Sequence, residues 1–533
     1  MTRWRWPDRR LAAAILGALL LPLVAPGPVF AALPPGFSDS LVVGVAIPTA
    51  LAFTPDGRLL VTTQDGNLRV VQGGGLLATP ALTFPASAIC TESERGLLGV
   101  AVDPDFTTNT FIYLFYTFEK PAGAGCVNRV SRFTLPAGSV VDPATELILV
   151  DNMPSPNGNH NAGDVQFGKD GFLYVSIGEG GIDSAARLEH VLTGKILRIT
   201  KDGGIPAGNP FQGAGTARCN VTGQTTPGNR CQETFAWGLR NPFRIAFDPN
   251  EAGTRFFIND VGAGSWEEID LGQPGVDYGW NCREGAHTFS ASGACNPTPP
   301  GMVDPFFEYS HVGVISGTTA TNCRSITGGA FVPDGLWPGF DGAYLFADFI
   351  CGWIFKLTES AGAWSATDFA TALGGNSAVH LRFGPHGGSQ ALYYTTYAGG
   401  GQVRRIAREP TELHTLLPCR AIDTRNPDGP LGGPALQGGQ ERLFTLAGVC
   451  GVSATAREVV VNLTVVGATA SGFLQAYAAD TGPGGTSVLN FGPARARANN
   501  AFIRMVAGQI AVRAGLPPEH STHFIADVVG YLE

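Results

Sequence analysis

The sequence predicts an all-β protein: a six-bladed β-propeller followed by a smaller β-sandwich-like domain. Three observations support this prediction: a composition rich in turn residues, a motif that recurs six times, and a change of pattern after Arg408. The 533 residues include 72 glycines and 38 prolines, so glycine is used at about twice its average share of ~7%. Such a composition excludes a helical bundle and is typical of short strands joined by tight turns.

The recurring motif is an apolar strand, a turn with Pro-Asp-Gly or a variant, and a second strand of aromatic and β-branched residues. Its copies begin at Leu51, Leu97, Val165, Arg244, Gly328 and Leu381. Because a propeller blade is a four-stranded sheet beside a central channel, these copies predict six blades over residues 37–408. The alternative is a jelly roll or two sandwiches with coincidental turn similarity. A blade needs only ~40–45 residues, so we expect the surplus in site-building loops such as Ile205 to Glu233.

The pattern stops after Arg408, and a separate all-β module is predicted over residues 413–533. Its strand-like stretches include REVVVNLTVVGA and HFIADVVGYLE, in which apolar residues alternate with others. The module resembles one that is appended to various secreted bacterial proteins, and that resemblance implies no chemistry of its own.

The N-terminus predicts export. Arginines precede an apolar run from Leu11 to Val24, and small residues lead to a cleavage position after Ala31, so residues 1–31 are predicted to be a signal peptide. The mature protein is then secreted or periplasmic. No other segment approaches the ~20 apolar residues of a membrane span. A net charge of −9 without a basic block after the first ten residues argues against nucleic-acid partners.

The chain has ten cysteines and no CxxC pair. In an exported protein this pattern favours disulfides over metal or thioredoxin-like redox chemistry. Proximity along the chain suggests the pairs Cys90–Cys126, Cys219–Cys231, Cys282–Cys295, Cys323–Cys351 and Cys419–Cys450.

Two stretches carry candidate catalytic residues. In NGNHNAGD, His160 lies among polar turn residues before a strand, which suits an exposed general base; the alternative is a solvated turn histidine. In AWGLRNPFRIAF, Arg240 and Asn241 precede Pro242 and can hold an anionic oxygen. Here the alternative is an ion pair between blades.

Two further stretches carry candidate metal ligands. NDVGAGSWEEIDLG places Asp260, Glu267, Glu268 and Asp270 around a glycine-rich loop, and oxygen-rich loops of this kind suit Ca²⁺. The alternative is a set of acidic surface turns. In GEGGID, Glu179 lies beside glycines, which indicates a structural turn that could also hold Ca²⁺.

These motifs, in this order, resemble the glucose/sorbosone dehydrogenase family, the soluble quinoprotein sugar dehydrogenases that carry pyrroloquinoline quinone (PQQ). The resemblance spans residues 37–407 and rests on ERGLLGVAVDPDF, HNAGDVQFGKDGFLYVSIGEGG, GKILRI, GLRNPFRIAFDP, DVGAGSWEEIDLGQPGVDYGW and SITGGAFVPDG. It implies a six-bladed propeller that oxidises a small sugar by hydride transfer to the quinone and passes the electrons to an external acceptor.

The resemblance also implies roles for individual residues. His160 falls where the family has its general base, and Arg240 and Asn241 fall where it contacts the quinone oxygens. Glu94 lies where a polar residue near the pocket is usual. The predicted catalytic residues are therefore His160 and Arg240, and the predicted cofactor contacts are Glu94, Arg240 and Asn241.

The metal implied by the resemblance is Ca²⁺. Gly262 and Ala263 fall where backbone carbonyls hold the ion that bridges to the cofactor. Asp260 and Glu179 are further candidate ligands, since carboxylate oxygens are what this hard cation prefers.

The sequence departs from the family pattern where cations are expected to face the carboxylates of PQQ. Pro333, Ser377 and Val379 occupy those positions, and leaving carboxylates unpaired in a channel is costly. Either the quinone is bound weakly or not at all, or arginines elsewhere compensate. The loop arginines available for this are Arg218, Arg230, Arg283 and Arg324.

Two other functions remain open. A non-catalytic propeller of the Hedgehog-interacting type would bind glycans or a protein partner. A Ca²⁺-dependent lactonase would need side-chain oxygens, such as those of Asp260 and Asn241, to converge on one channel ion. The sequence names neither the sugar, the electron acceptor nor the oligomeric state.

Overall fold

The computed structural model describes residues 32–409 and 412–533. The predicted signal peptide lies outside the described residues. The chain divides into two compact units, the first ending at Arg408 and the second beginning at Glu409. Strands dominate both units, and none of the helices within the described ranges has the length and apolarity that a membrane span requires.

The first unit contains six four-stranded or larger antiparallel sheets, which confirms the predicted propeller. Numbered along the chain and given from the inner strand outwards, they are as follows. Blade 1 is Pro48–Phe53, Leu59–Thr63 and Asn67–Gln72 with Gly75–Leu76 and Leu82–Thr83; blade 2 is Leu97–Val102, Phe111–Glu119, Cys126–Thr134 and Leu147–Pro154; blade 3 is Val165–Phe167, Leu173–Ile177, Lys195–Ile199 and Thr234–Trp237. Blade 4 is Pro242–Phe247, Phe256–Asp260, Trp266–Leu271 and Phe307–Ser310; blade 5 is Ile326–Phe331, Tyr344–Asp348, Trp353–Ser360 and Ala363–Ala370; blade 6 is Ser377–His386, Ser389–Thr396, Gln402–Arg408 and Phe37–Gly44.

Each copy of the sequence motif covers the first two strands of a blade. In blade 1, the turn TPDG joins Pro48–Phe53 to Leu59–Thr63, and the N–H of Gly57 donates to the carbonyl oxygen of Thr54. Gly57 has a φ of +88°, a conformation that glycine adopts without steric cost. The second strand, Leu59–Thr63, is buried throughout because the neighbouring blades cover both of its faces.

The ring is closed by a strand from the start of the described chain. Phe37–Gly44 pairs antiparallel with Gln402–Arg408 and forms the outer strand of blade 6. Phe37 also packs edge-on against the aromatic rings of blade 5, with its centroid 4.8 Å from that of Trp337. The first and last strands of the propeller are therefore hydrogen-bonded to each other, which closes the ring within blade 6.

Short elements fill the connections. They are the helix Phe106–Asn109, the 3-10 turns Pro121–Gly123, Pro143–Thr145, Asp183–Arg187, Gly293–Cys295 and Ala398–Gly400, and the ribbons Thr216–Ala217 with Arg230–Cys231 and Arg283–Glu284 with His287–Thr288. All five predicted disulfides are present, and the described chain contains no free cysteine.

The second unit is built from two antiparallel sheets, as the sequence predicts. One contains Leu413–Asp423, Ser521–Leu532, Glu458–Val466 and Arg497–Arg504 with Leu436–Gln437; the other contains Glu441–Thr445, Gln509–Gly515, Gly472–Ala478 and Leu489–Phe491. Apolar residues from both sheets form one core, which includes Val461, Phe524, Leu474 and Val512. Alternate residues of Glu458–Val466 are buried, the pattern of a sheet packed on one face.

Candidate active site

A cavity of about 400 Å³ lies at one end of the propeller channel. It is bordered by the segments that lead from the outer strand of one blade to the inner strand of the next, and this is where Glu94, His160, Arg240 and Asn241 converge. All four predicted catalytic and cofactor-contacting residues therefore line one cavity, although they are up to 147 positions apart in the sequence. Loop 205–233, expected to build the site, contributes none of the lining residues.

His160 forms a close pair with Glu179. The ring Nδ1 lies 2.5 Å from Glu179 Oε1, and the Glu179 side chain is completely buried. Because an ionised carboxylate only accepts hydrogen bonds, Nδ1 carries the proton and donates it to Glu179. The amide of Asn159 lies 3.1 Å from Nε2, so the second ring nitrogen is the acceptor in the neutral ring. This tautomer leaves Nε2 as the basic nitrogen of a residue that lines the cavity.

This pairing gives Glu179 a partner within the protein, and its role as a Ca²⁺ ligand stays a prediction. Its Oε1 holds the His160 ring and its Oε2 accepts the N–H of Ile182 at 2.6 Å, so both oxygens are engaged within the protein. The sequence motif placed Glu179 near His160 but did not show that it acts through the histidine. The signal that could have found it is chemical, since an oriented histidine base needs a carboxylate or carbonyl at its other ring nitrogen.

The backbone at His160 is held in an unusual conformation. Its φ is +55°, in the left-handed region that non-glycine residues seldom adopt. Its N–H donates to Glu94 Oε2 at 2.8 Å, and its carbonyl accepts the N–H of Gly180 at 3.1 Å. A Cβ on Gly178 would lie 2.2 Å from that carbonyl oxygen, so only glycine fits there. The strained turn and its glycine neighbours thus set the direction of the imidazole.

Arg240 and Asn241 are positioned by Asp260. The Arg240 N–H donates to Asp260 Oδ2 at 2.9 Å and the Asn241 N–H to Oδ1 at 2.6 Å. The Asn241 side chain accepts the N–H of Ala162 at 3.1 Å and donates to Glu94 Oε2 at 3.3 Å. Burial raises the pKa of Asp260, and these N–H groups oppose that shift. Asp260 therefore positions Arg240 and Asn241, and its role as a metal ligand stays a prediction.

The predicted calcium loop is occupied by Arg240. Its Nη1 donates to the carbonyl oxygens of Val261 at 3.0 Å and Gly262 at 2.6 Å. A calcium ion on the Gly262 carbonyl would face this guanidinium, so binding there requires Arg240 to turn away. Ala263 contributes its N–H to Glu284 at 2.8 Å. The carbonyl oxygens of Gly262 and Ala263 remain candidate Ca²⁺ ligands, although the loop contacts the Arg240 guanidinium in this structure.

Glu284, which the sequence analysis missed, fixes this loop. Its Oε1 accepts the N–H groups of residues 263, 264, 265 and 266 at 2.8, 2.7, 2.8 and 3.2 Å. Burial opposes ionisation, but these four bonds outweigh it and lower the pKa of Glu284. Glu284 lies 20 residues beyond Gly264, a distance over which local pattern carries no signal.

The other acidic residues of this stretch are buried, so they are not surface turns. Glu267 contacts His311 Nε2 at 2.6 Å and accepts the N–H of Ile326. Glu268 Oε2 and both carboxyl oxygens of Asp270 have no hydrogen-bond partner within the described chain. Burial raises the pKa of both Glu268 and Asp270, the carboxyl of Asp260 reinforces both shifts, and the carboxyl of Asp270 adds to that of Glu268.

The positions that depart from the family pattern differ in location. Val379 lines the cavity, whereas Ser377 is buried and hydrogen-bonded to Thr396. Pro333 lines a separate cavity of about 290 Å³ that Phe167, Phe247, Phe331 and Phe383 border. Pro333 follows the end of an inner strand whose start lies beside the active-site cavity, and Pro333 itself does not line that cavity.

None of the four loop arginines lines the cavity. Arg218, Arg230 and Arg283 form ion pairs with Glu233, Glu189 and Asp304, respectively. Arg324 is exposed to solvent. The cavity does contain a cation that the sequence analysis did not single out, Arg244.

Comparison with known proteins gives a consistent result. The profile of the Glucose / Sorbosone dehydrogenase family matches residues 45–333, more than half of the chain. Aldose sugar dehydrogenase YliI of Escherichia coli is 32% identical over 236 residues, which cover 44% of this chain and 58% of that protein. HIPL1 protein of Arabidopsis thaliana is 29% identical over 350 residues, covering 55% and 50%. The chain thus spans little more than half the length of these two relatives.

Among solved structures, the soluble aldose sugar dehydrogenase of Escherichia coli in its apo-form matches with a TM-score of 0.58. The match covers 70% of this chain and 100% of that chain at 23% identity. At this identity the likeness establishes the fold, and it agrees with the six blades described above.

Proposed function

Because the chain belongs to the glucose/sorbosone dehydrogenase family, we propose that it oxidises an aldose or a related sugar with PQQ as hydride acceptor and Ca²⁺ as the cofactor's metal. The observation that carries the proposal is the His160–Glu179 pair, whose imidazole lines the same cavity as Arg240 and Asn241. Five disulfides support its action in an oxidising compartment outside the cytosol.

His160 acts as the general base. Its Nε2 removes the proton from a sugar hydroxyl, and the buried Glu179 carboxylate stabilises the imidazolium that results. Glu94 holds both the His160 backbone and the Asn241 amide through one oxygen, so the base and the amide keep a fixed spacing. Asp260 holds Arg240 and Asn241 in the same way. The protein thus supplies orientation and proton transfer.

The cavity suits a planar anionic cofactor. Its volume of about 400 Å³ lies within the ~300–1,000 Å³ usual for small-molecule sites. The Nε atoms of Arg240 and Arg244 are buried and lack partners within the described chain, so two guanidinium groups retain donors for a ligand. PQQ would supply the electron sink, and Arg240 would place positive charge where the reduced quinone oxygen becomes negative. Ca²⁺ would draw on the carbonyls of Gly262 and Ala263.

Reconstitution tests the proposal. The purified full chain is titrated with PQQ in excess Ca²⁺, and dye reduction is measured with a panel of aldoses. We expect stoichiometric quinone binding and sugar-dependent dye reduction that His160→Ala abolishes while quinone binding persists. Activity that survives in His160→Ala would contradict the role of this residue.

A second candidate function is a propeller that binds glycans or a protein without catalysis. The relation to HIPL1 protein and the apolar Val379 in the cavity favour it. It predicts no quinone binding at tens of micromolar PQQ, so the same titration separates the two functions.

A further inference from the structure

Arg244 crosses the propeller channel beneath the candidate active site. Its Cα belongs to the inner strand of blade 4, and its Nη2 donates to the carbonyl oxygen of Thr49 in blade 1 at 2.9 Å and approaches that of Leu98 in blade 2 at 3.5 Å. Both Thr49 and Leu98 line the active-site cavity, as does Arg244 itself. The guanidinium therefore forms part of the cavity floor, although only 1% of the residue is exposed.

The charge on Arg244 has no direct counterion. No carboxylate within the described ranges lies within ion-pair distance, and its hydrogen bonds all go to backbone carbonyls. Its Nε has no partner. A buried cation that is solvated only by carbonyl dipoles is costly, and an anionic ligand removes much of that cost.

The groups around Arg244 do not neutralise the channel. Asp164 is the carboxyl whose charge acts on Arg244, but its oxygens accept N–H groups from Val165, Ile245 and the Gln166 amide. Arg382 donates to the same Gln166 side chain and adds a second positive charge. His380 is neutral, because burial and these two arginines lower its pKa. One carboxylate and two guanidiniums leave the channel with one excess positive charge.

The cavity above shares Arg244 with the channel, so the two regions together hold one excess positive charge. Its charged lining residues are Glu94, Arg240 and Arg244, and the acid is already shared between His160 and Asn241. Aldoses are neutral and do not require such a floor, whereas PQQ carries three carboxylates. The cations expected at Ser377 and Val379 are missing, none of the four loop arginines lines the cavity, and three of them are held in ion pairs.

We propose that Arg244 binds a carboxylate of PQQ from the floor of the cavity and replaces the cations missing from blade 6. This inference rests on the proposed function. Arg244 would donate through its free Nε and through Nη atoms that now contact the carbonyls of Phe243 and Thr49. A charge-assisted bond of this kind in a closed site contributes about 10- to 100-fold in affinity.

The test compares quinone binding, not turnover, in the full chain with excess Ca²⁺. The ligands are PQQ and its trimethyl ester, which keeps the quinone but lacks carboxylate charge, and the variants are Arg244→Gln and Arg244→Lys. Arg69→Gln is the matched control, because Arg69 also has an unpartnered Nε and a bond to a backbone carbonyl but lies outside the cavity. Binding is followed by quenching of tryptophan fluorescence.

We expect Arg244→Gln to weaken PQQ binding by about 10- to 100-fold and to change ester binding by less than about threefold. Arg244→Lys, which keeps the charge and the fold, should lose less, and Arg69→Gln should match the parent. Equal PQQ affinity in parent and Arg244→Gln, or an equal loss for PQQ and ester, would overturn the inference while leaving the proposed function intact. A parent chain that binds neither ligand would overturn the proposed function itself.

Discussion

Replacing Glu179 by glutamine tests how the active-site histidine works. The substitution keeps the shape of the side chain and an oxygen that can accept the Nδ1 proton, but it removes the negative charge 2.5 Å from the His160 ring. If His160 takes a proton from the sugar, the imidazolium in the transition state loses its counter-charge. The neutral ring in the ground state loses much less, so the rate of the chemical step should fall.

The size of the effect follows from the geometry. With charge centres about 4 Å apart and an effective dielectric constant of ~20, the attraction is about 4 kcal/mol. A neutral hydrogen bond that remains in the variant returns about 1 kcal/mol. The net loss of about 3 kcal/mol corresponds to a fall in kcat of about 10²- to 10³-fold, at 1.36 kcal/mol for each tenfold. Solvent screening is small because the Glu179 side chain is fully buried.

The assay is dye reduction with a saturating aldose on chain loaded with PQQ and Ca²⁺, with quinone affinity measured separately. Glu92→Gln is the matched control, since the Glu92 side chain is 73% exposed and its ion pair among the described residues is with Arg95. The double variant with Glu179→Gln and His160→Ala should have a kcat no lower than that of His160→Ala alone, because the two residues act as a unit. A Glu179→Gln variant with kcat within threefold of the parent would refute this reasoning.

Three further predictions concern stability and the metal loop. Phe37→Ala should lower the free energy of unfolding by about 2 kcal/mol, because the ring packs on three aromatic rings of blade 5. Leu41→Ala is the control, since Leu41 in the same strand is 54% exposed and its loss should cost under about 0.5 kcal/mol. Equal urea midpoints for the two variants would contradict the role of the closing strand. Burial raises the folded-state pKa of Asp270 above its unfolded value near ~3.9. The contribution of Asp270 to the stability of the fold is therefore fully present below the unfolded pKa, and it is lost as the pH rises through the folded pKa. Asp270→Asn should therefore raise the melting temperature relative to the parent increasingly from pH 5 to pH 8 in EDTA, and a constant difference across this range would count against it. Glu284→Ala removes the acceptor of four loop N–H groups and should raise the Ca²⁺ concentration for half-maximal PQQ binding about tenfold, whereas an unchanged calcium requirement would place the ion elsewhere.

Local patterns in the sequence were sufficient for the architecture. The six motif copies correspond to the first two strands of six blades, because turn residues and strand periodicity act over a few neighbouring positions. The five disulfide pairings were predictable for a related reason: each joins cysteines no more than 36 residues apart, within one blade or between adjacent strands and loops. His160, Arg240 and Asn241 stood out because their polar turns interrupt otherwise apolar strands.

Contacts between distant residues could be found only in the folded chain. No local pattern indicates that Phe37–Gly44 completes blade 6, because its partner strand lies 365 residues away. The motifs do not show what Glu179 and Asp260 contact, because a carboxylate's role depends on which donor faces it, and here those donors are an imidazole and backbone N–H groups. In the sequence, Arg244 begins a copy of the strand motif, and nothing near it indicates a binding site. Ring closure turns its side chain across the channel, and that long-range geometry makes it a cation in the cavity floor.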